Sequence, residues 1–114
     1  MDDAQAELSL SRLGALAAQL GQTPAEVCRT LHDELSRAIA QLDAGLATGD
    51  REAAGHASHA ARNSALMIEA RPMLAGLRGV EAALAAGDQA GARAAHAQVL
   101  AHWSAVDAAL RSGT

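Results

Sequence analysis

The fold is decided by residues 23–50, TPAEVCRTLHDELSRAIAQLDAGLATGD. This stretch opens with a capping box: the Thr23 hydroxyl can accept from the backbone N–H of Glu26, and the Glu26 carboxylate can accept from that of Thr23. Pro24 suits the first helical position, and Gly49 suits the left-handed residue that closes a helix. A helix is therefore predicted from Pro24 to Gly49. Its buried face is expected to hold Val27, Leu31, Leu35, Ala38, Leu42 and Leu46, which recur at helical spacing.

Turn signals divide the rest of the chain into further helices. Gly87-Asp88 repeats the Gly49-Asp50 turn, and Arg71-Pro72 interrupts the helical stretch between them. The predicted helices run over about 50–70, about 72–86 and from 88 onward, and an earlier helix over 8–20 is closed by Gly21.

Each of these helices has one apolar face that is expected to be buried. The inward residues are Leu13, Leu16, Ala17 and Leu20 in the first helix, Met73, Leu77, Val80 and Leu84 in the fourth, and Ala92, His96, Val99, Trp103, Val106 and Leu110 in the last. Two tight reversals indicate antiparallel helix pairs. We therefore expect an all-α fold, an antiparallel up-down four-helix bundle with a short additional N-terminal helix, formed by residues 1–114 as a single domain.

Composition narrows the classes of function. The net charge is -4 and no basic cluster is present, which argues against nucleic-acid binding. Cys28 is the only cysteine and cannot form an internal disulfide, so a reducing compartment is expected. No apolar run is long enough to span a membrane, and the acidic start Met1-Asp2-Asp3 lacks the basic residues of a signal peptide. A cytoplasmic, soluble protein is expected.

The helix after Asp50 contains the side chains that could take part in a reaction. Its sequence is REAAGHASHAARNSALMIEA. At about 100° per residue, its small and apolar face is expected to hold Ala53, Ala57, Ala60, Ser64, Met67 and Ile68. His59 lies on the far side and is expected to be exposed. Gly55, Arg62, Asn63 and Leu66 lie on or near the same outer face.

An exposed histidine of this kind can act as a phosphoryl acceptor. A neutral imidazole is nucleophilic, and the usual pKa of histidine leaves a neutral fraction near pH 7. Arg62, three residues on, can help neutralise a phosphate, and Leu66 offers an apolar contact to a docking protein.

The segment His59-Ala60-Ala61-Arg62-Asn63-Ser64-Ala65 resembles the motif of histidine-containing phosphotransfer (HPt) domains. That motif is a helical histidine followed by a basic residue at +3, a glycine at +4 and small residues. The turns that end in Gly49-Asp50 and Gly87-Asp88 also fit, so the resemblance covers about residues 13–110.

The resemblance implies that His59 takes a phosphoryl group from an aspartate of one receiver domain and passes it to another. Arg62 takes the role of phosphate neighbour, and Gly55, Asn63 and Leu66 are expected to contact partners. Those partners are response-regulator receiver domains and a hybrid sensor histidine kinase. The receiver supplies Mg²⁺, whereas this chain needs no cofactor or metal, has no kinase activity of its own and is expected to be a monomer.

The chain departs from the motif at two glycine positions. Asn63 stands at +4 and Glu69 at +10. Three effects of an asparagine beside His59 are open. It restricts which partners can bind, it donates a hydrogen bond to the imidazole or the phosphate, or it slows phosphoryl transfer.

Other interpretations remain open for these residues. The main rival function is a non-catalytic helical adaptor or chaperone, including a degenerate HPt relative, in which His59 is an ordinary surface residue. A third is a metal site at His56 and His59, although two histidines alone make a weak one.

The remaining polar residues receive ordinary structural interpretations. His96 is expected at the edge of the core, and His32 and His102 give no convergent signal. Cys28 is expected to be half-buried. The acidic side chains expected to be solvated are Asp33, Glu34 and Glu81.

Overall fold

A computed structural model describes residues 10–112 of the chain. The regular secondary structure of this part is entirely helical, with short turns between the helices and no strand. Its helices are α1 (Leu10–Leu20), α2 (Pro24–Thr48), α3 (Arg51–Met67), α4 (Arg71–Ala85) and α5 (Gln89–Arg111). None of them is both long and apolar enough to cross a membrane.

The capping box that begins α2 is present. The Glu26 N–H donates to the Thr23 hydroxyl at 3.2 Å, and the Thr23 N–H donates to the Glu26 carboxylate at 2.8 Å. Gly49 closes the helix in the left-handed conformation, with φ 72°. All six residues predicted to face inward from α2 are buried, which confirms the helix and its phase. Cys28 is fully buried rather than half-buried, and burial raises the pKa of its thiol.

The two Gly-Asp turns also form as predicted. Asp50 accepts from the Ala53 N–H at 3.0 Å at the start of α3, and Asp88 accepts from the Gly91 N–H at 2.9 Å at the start of α5. Each aspartate follows a glycine in the left-handed conformation. The chain therefore reverses sharply between α2 and α3 and again between α4 and α5.

The boundary between α3 and α4 differs from the prediction. Helix α3 ends at Met67, not near Ala70, because Glu69 takes the left-handed conformation with φ 53°. Helix α4 begins at Arg71, one residue before the predicted start. Pro72 therefore stands in the first turn of α4, where a missing N–H removes no helical hydrogen bond.

The four long helices contact one another in a closed order. Helix α2 packs on α3, α3 on α4, α4 on α5, and α5 returns to α2, while α1 lies mainly on α2. The core between them is aliphatic, and small residues allow close approach. At Gly45, for example, an added Cβ would lie only 2.8 Å from the backbone nitrogen of Ala54.

Two predicted inward faces need correction. In α1, Leu13 and Ala17 are buried, but Leu20 is 55% exposed, because it is the last helical residue and no further turn packs around it. The predicted start of this helix, at residues 8 and 9, lies outside the described residues, as do 1–3 and 113–114.

In α3, the predicted inward residues Ala53, Ala60 and Met67 are exposed. The buried residues are Ala54, Ala57, Ser58, Ala61, Ser64 and Ala65, with Ile68 just beyond the helix. Alanine occurs on every side of this helix, so the hydrophobic pattern defined its phase poorly. The buried faces of α4 and α5 are as predicted, with Trp103 partly buried against the core.

Candidate functional site

His59 lies at the midpoint of α3 and is exposed, as predicted. Asn63 and Leu66 are also exposed, one and two turns further along, and Gly55 is partly exposed one turn before. A Cβ added at Gly55 would have no neighbouring atom within 4 Å, so the surface one turn before His59 is open. The residues predicted to share an outer face therefore do share it.

Arg62 contacts the imidazole of His59 directly. Its Nη2 lies 3.2 Å from His59 Nδ1. A guanidinium can only donate, so Nδ1 accepts through its lone pair. The neutral ring then carries its proton on Nε2. This contact favours the tautomer protonated on Nε2 and places a positive charge beside the ring.

Glu81 of α4 holds Arg62 from the other side. The Nε of Arg62 lies 3.3 Å from Oε1 of Glu81, and about a third of each side chain is exposed. Both of these atoms are excluded from solvent, and their contact is an ion pair without hydrogen-bond geometry. Glu81 was predicted to be a solvated charge, and this is wrong: it pairs with Arg62 across the α3–α4 contact. An ion pair of this exposure contributes at most about 1 kcal/mol, so it orients Arg62 without immobilising it.

The surface continues beyond His59 into a cleft between the end of α3 and the start of α4. The cleft has a volume of about 340 Å³ and is lined by Leu66, Glu69, Arg71, Leu74 and Arg78. Leu66 is 45% exposed and the adjacent Met67 is 38% exposed. The exposed Leu66 thus lies beside two arginines, about two turns along α3 from His59.

His56 points to a different part of the surface. It is exposed and lines a cleft of about 500 Å³ between α2 and α3, together with Gln41, Thr48 and Asp50. Among residues 10–112, no three or more His, Cys, Asp or Glu side chains lie together as a metal site. In this part of the chain, a metal ion held by His56 and His59 would therefore have no third protein ligand.

His32 has a partner that the sequence did not predict. Its Nε2 lies 2.5 Å from Oδ1 of Asp107 on α5, and its ring centroid lies 5.7 Å from that of Trp103. Arg111 donates to the same aspartate at 2.9 Å. Burial alone would raise the pKa of Asp107, but the hydrogen bonds from Arg111 and His32 lower it overall. This cluster links α2 to α5 and contains none of the residues around His59.

Comparison of the chain with protein-family models, curated proteins and solved structures returned no match. The resemblance to HPt domains therefore depends on the residues around His59 and on the two Gly-Asp turns.

Proposed function

We propose that this protein carries a phosphoryl group on His59 as an HPt-type intermediate of a two-component phosphorelay. One observation carries the proposal. An exposed imidazole stands at the middle of a long helix, and a guanidinium held by a neighbouring helix contacts its ring nitrogen. That combination offers a reachable nucleophile and a charge suited to the phosphate that would form on it.

The helix arrangement supports this proposal. We interpret α2 to α5 as an antiparallel up-down four-helix bundle with α1 as the short additional helix, which is the architecture that the HPt resemblance implies. In this interpretation the α3–α4 side of the bundle presents His59, and receiver domains and a hybrid sensor histidine kinase dock there.

The proposed transfer exchanges one phosphorus bond for another. A ring nitrogen of His59 with a free lone pair attacks the phosphorus of an aspartyl phosphate in the receiver. A nitrogen–phosphorus bond forms, the bond from phosphorus to the aspartate oxygen breaks, and the carboxylate leaves with the bonding electrons. The ring then loses its remaining N–H proton to solvent or stays protonated. The receiver supplies the acidic pocket and Mg²⁺, and this chain contributes no kinase activity or cofactor.

Arg62 must leave its observed position for this reaction. Attack through Nδ1 needs the lone pair that Arg62 occupies, and attack through Nε2 needs the proton to move to Nδ1. In either case the contact between Arg62 and His59 opens first. Once phosphate is attached, Arg62 is close enough in sequence and space to pair with it, while Glu81 limits how far its guanidinium moves.

Phosphotransfer to His59→Gln tests this proposal. A phosphorylated receiver domain, or a hybrid kinase with its receiver, is incubated with the wild type and the variant. We expect labelling of the wild type and none of His59→Gln. His56→Gln is a matched control, because His56 is an exposed histidine on the same helix, and it should be labelled like the wild type. Equal labelling of the wild type and His59→Gln would contradict the proposal.

The adaptor function remains a second candidate because of Asn63, Leu66 and Met67. An exposed asparagine stands where the HPt motif has a glycine beside its histidine, and two exposed apolar residues follow it on α3. In an adaptor, His59→Ala would retain both partner binding and cellular activity, whereas Leu66→Asp would lose both. Under the phosphorelay proposal, His59→Ala loses activity even where binding is retained.

A further inference from the structure

Glu81 reaches the proposed phosphate site only through Arg62 and exchanges no bond in the proposed transfer. Its Oε1 lies 3.3 Å from Nε of Arg62, and Nη2 of Arg62 lies 3.2 Å from Nδ1 of His59. Nε and Nη2 form one edge of the planar guanidinium. Glu81 from α4 and His59 from α3 therefore share a single edge of one side chain.

Such an edge is the part of an arginine that can bind a phosphate through two bonds. Two parallel N–H groups donate to two phosphate oxygens, and this pairing is stronger than a single contact. A phosphoryl group on His59 would reach Nη2 but would meet the Glu81 carboxylate in front of Nε. Pairing through Nη1 and Nη2 instead would leave the negative charge of Glu81 against the guanidinium and weaken its attraction for phosphate.

The surroundings of the ion pair make this competition effective. Nε of Arg62 and Oε1 of Glu81 are excluded from solvent, and their contact lacks hydrogen-bond geometry. A buried donor without a hydrogen bond is unfavourable, and a phosphate oxygen would satisfy Nε. Phosphate and the Glu81 carboxylate therefore compete for the same N–H group, and one of them must withdraw when the other binds.

We propose that Glu81 is a positioning residue that limits, through Arg62, how strongly a phosphoryl group is retained on His59. In the unphosphorylated protein it keeps the guanidinium beside the imidazole. After phosphorylation it competes for that guanidinium and so favours release of the phosphoryl group to the next receiver. This inference rests on the proposed phosphorylation of His59 and adds to it a control exerted from α4.

Chemical phosphorylation of the full-length protein tests the role of Glu81 without a receiver domain. Potassium phosphoramidate phosphorylates exposed imidazoles: a bond from phosphorus to the ring nitrogen forms, the bond to the amino group breaks, and ammonia leaves. The ³¹P signal of phosphorylated His59 is assigned by its absence in His59→Gln and is followed with pH. In Glu81→Gln, the acid dissociation constant of the phosphoryl group should rise by up to about fivefold, because Arg62 then stabilises its doubly charged form without competition.

The transfer equilibrium gives a second measurement of the same effect. With a phosphorylated receiver domain as donor, Glu81→Gln should shift the equilibrium toward phosphorylated His59 by up to about fivefold. Glu69→Gln is the matched control, because it removes the same charge from the neighbouring cleft, and it should behave as the wild type does. In an Arg62→Gln background, Glu81→Gln should have no effect, since the two residues act as one unit.

The outcomes separate the role of Glu81 from the proposed function. An unchanged ³¹P titration in Glu81→Gln, or an equal shift with and without Arg62, would overturn the role of Glu81 even where a receiver phosphorylates His59. A shifted titration in a protein that no receiver phosphorylates would support the role of Glu81 and contradict the phosphorelay. If His59 takes a phosphoryl group from neither donor, both proposals fail.

Discussion

Among single residues, Arg62 has the most direct effect on His59, because its contact favours one tautomer of the ring. The observed contact predicts that the neutral ring carries its proton on Nε2. In Arg62→Gln the ratio of the Nε2-protonated to the Nδ1-protonated tautomer should fall by no more than about fivefold. The limit follows because a partly exposed pair contributes at most about 1 kcal/mol. The ¹⁵N shifts of His59 Nδ1 and Nε2 measure that ratio. Arg78→Gln, an exposed arginine on α4, is the control, and identical shifts in wild type and Arg62→Gln would contradict the contact.

The sequence predicts part of this site and misses the rest for a physical reason. His59 and Arg62 are three residues apart on one helix, so helical geometry alone places them together. Glu81 reaches Arg62 only because α4 packs beside α3, and nothing in its local sequence indicates a partner 19 positions earlier. His32 and Asp107, 75 positions apart, were missed for the same reason.

At the scale of helices and turns, Glu69 carries strain. It stands at the second glycine position of the HPt motif and holds a left-handed backbone with φ 53°. A residue with a Cβ is destabilised by about 1–2 kcal/mol in this conformation, whereas glycine, which has no Cβ, is not. Glu69→Gly should therefore raise the free energy of unfolding by about 1 kcal/mol in urea denaturation. Glu69→Ala removes the carboxylate but keeps the strain, and an equal gain in that variant would contradict the explanation.

The link between α2 and α5 should make stability depend on acid. Burial acts to raise the pKa of the Asp107 carboxyl, but the hydrogen bonds from Arg111 and His32 outweigh it and hold the pKa below its ordinary value of 3.8. A carboxyl with a lowered folded-state pKa stabilises the protein above the unfolded value, and that contribution is lost as the pH falls through the folded value. Unfolding free energies measured from pH 6 down to pH 3 should fall more steeply for the wild type than for Asp107→Asn. Parallel curves would show that the cluster contributes nothing.

Helix ends were predicted more reliably than helix faces. Thr23, Asp50 and Asp88 act through hydrogen bonds to their own neighbours, so local sequence suffices to identify them. The face of α3 depends on which sides α2 and α4 cover, and a helix rich in alanine gives little contrast between faces. The end of α3 was missed because a left-handed glutamate is not signalled by residue type.

At the scale of the whole molecule, the closed order of helices depends on close approach between α2 and α3. A Cβ at Gly45 would lie 2.8 Å from the backbone of Ala54, and backbone cannot move aside as a side chain can. Gly45→Ala should lower the free energy of unfolding by about 1–3 kcal/mol. Gly55→Ala, also within a helix but with nothing within 4 Å, should instead raise it by about 0.5–1 kcal/mol. Thermal denaturation of both variants checks the opposite signs, and a neutral Gly45→Ala would contradict the packing.

His59 is the proposed site of phosphorylation, and finding where the phosphoryl group is attached shows directly whether this residue carries it. After incubation with a phosphorylated receiver domain, the phosphorylated position is identified by mass spectrometry under neutral conditions that preserve phosphohistidine, with ³¹P NMR to identify the nitrogen–phosphorus bond. We expect a single phosphoryl group on His59 with the acid lability of a phosphoramidate. A chain that remains unmodified while the receiver loses its phosphate only to water, or one modified at another residue, would contradict the account.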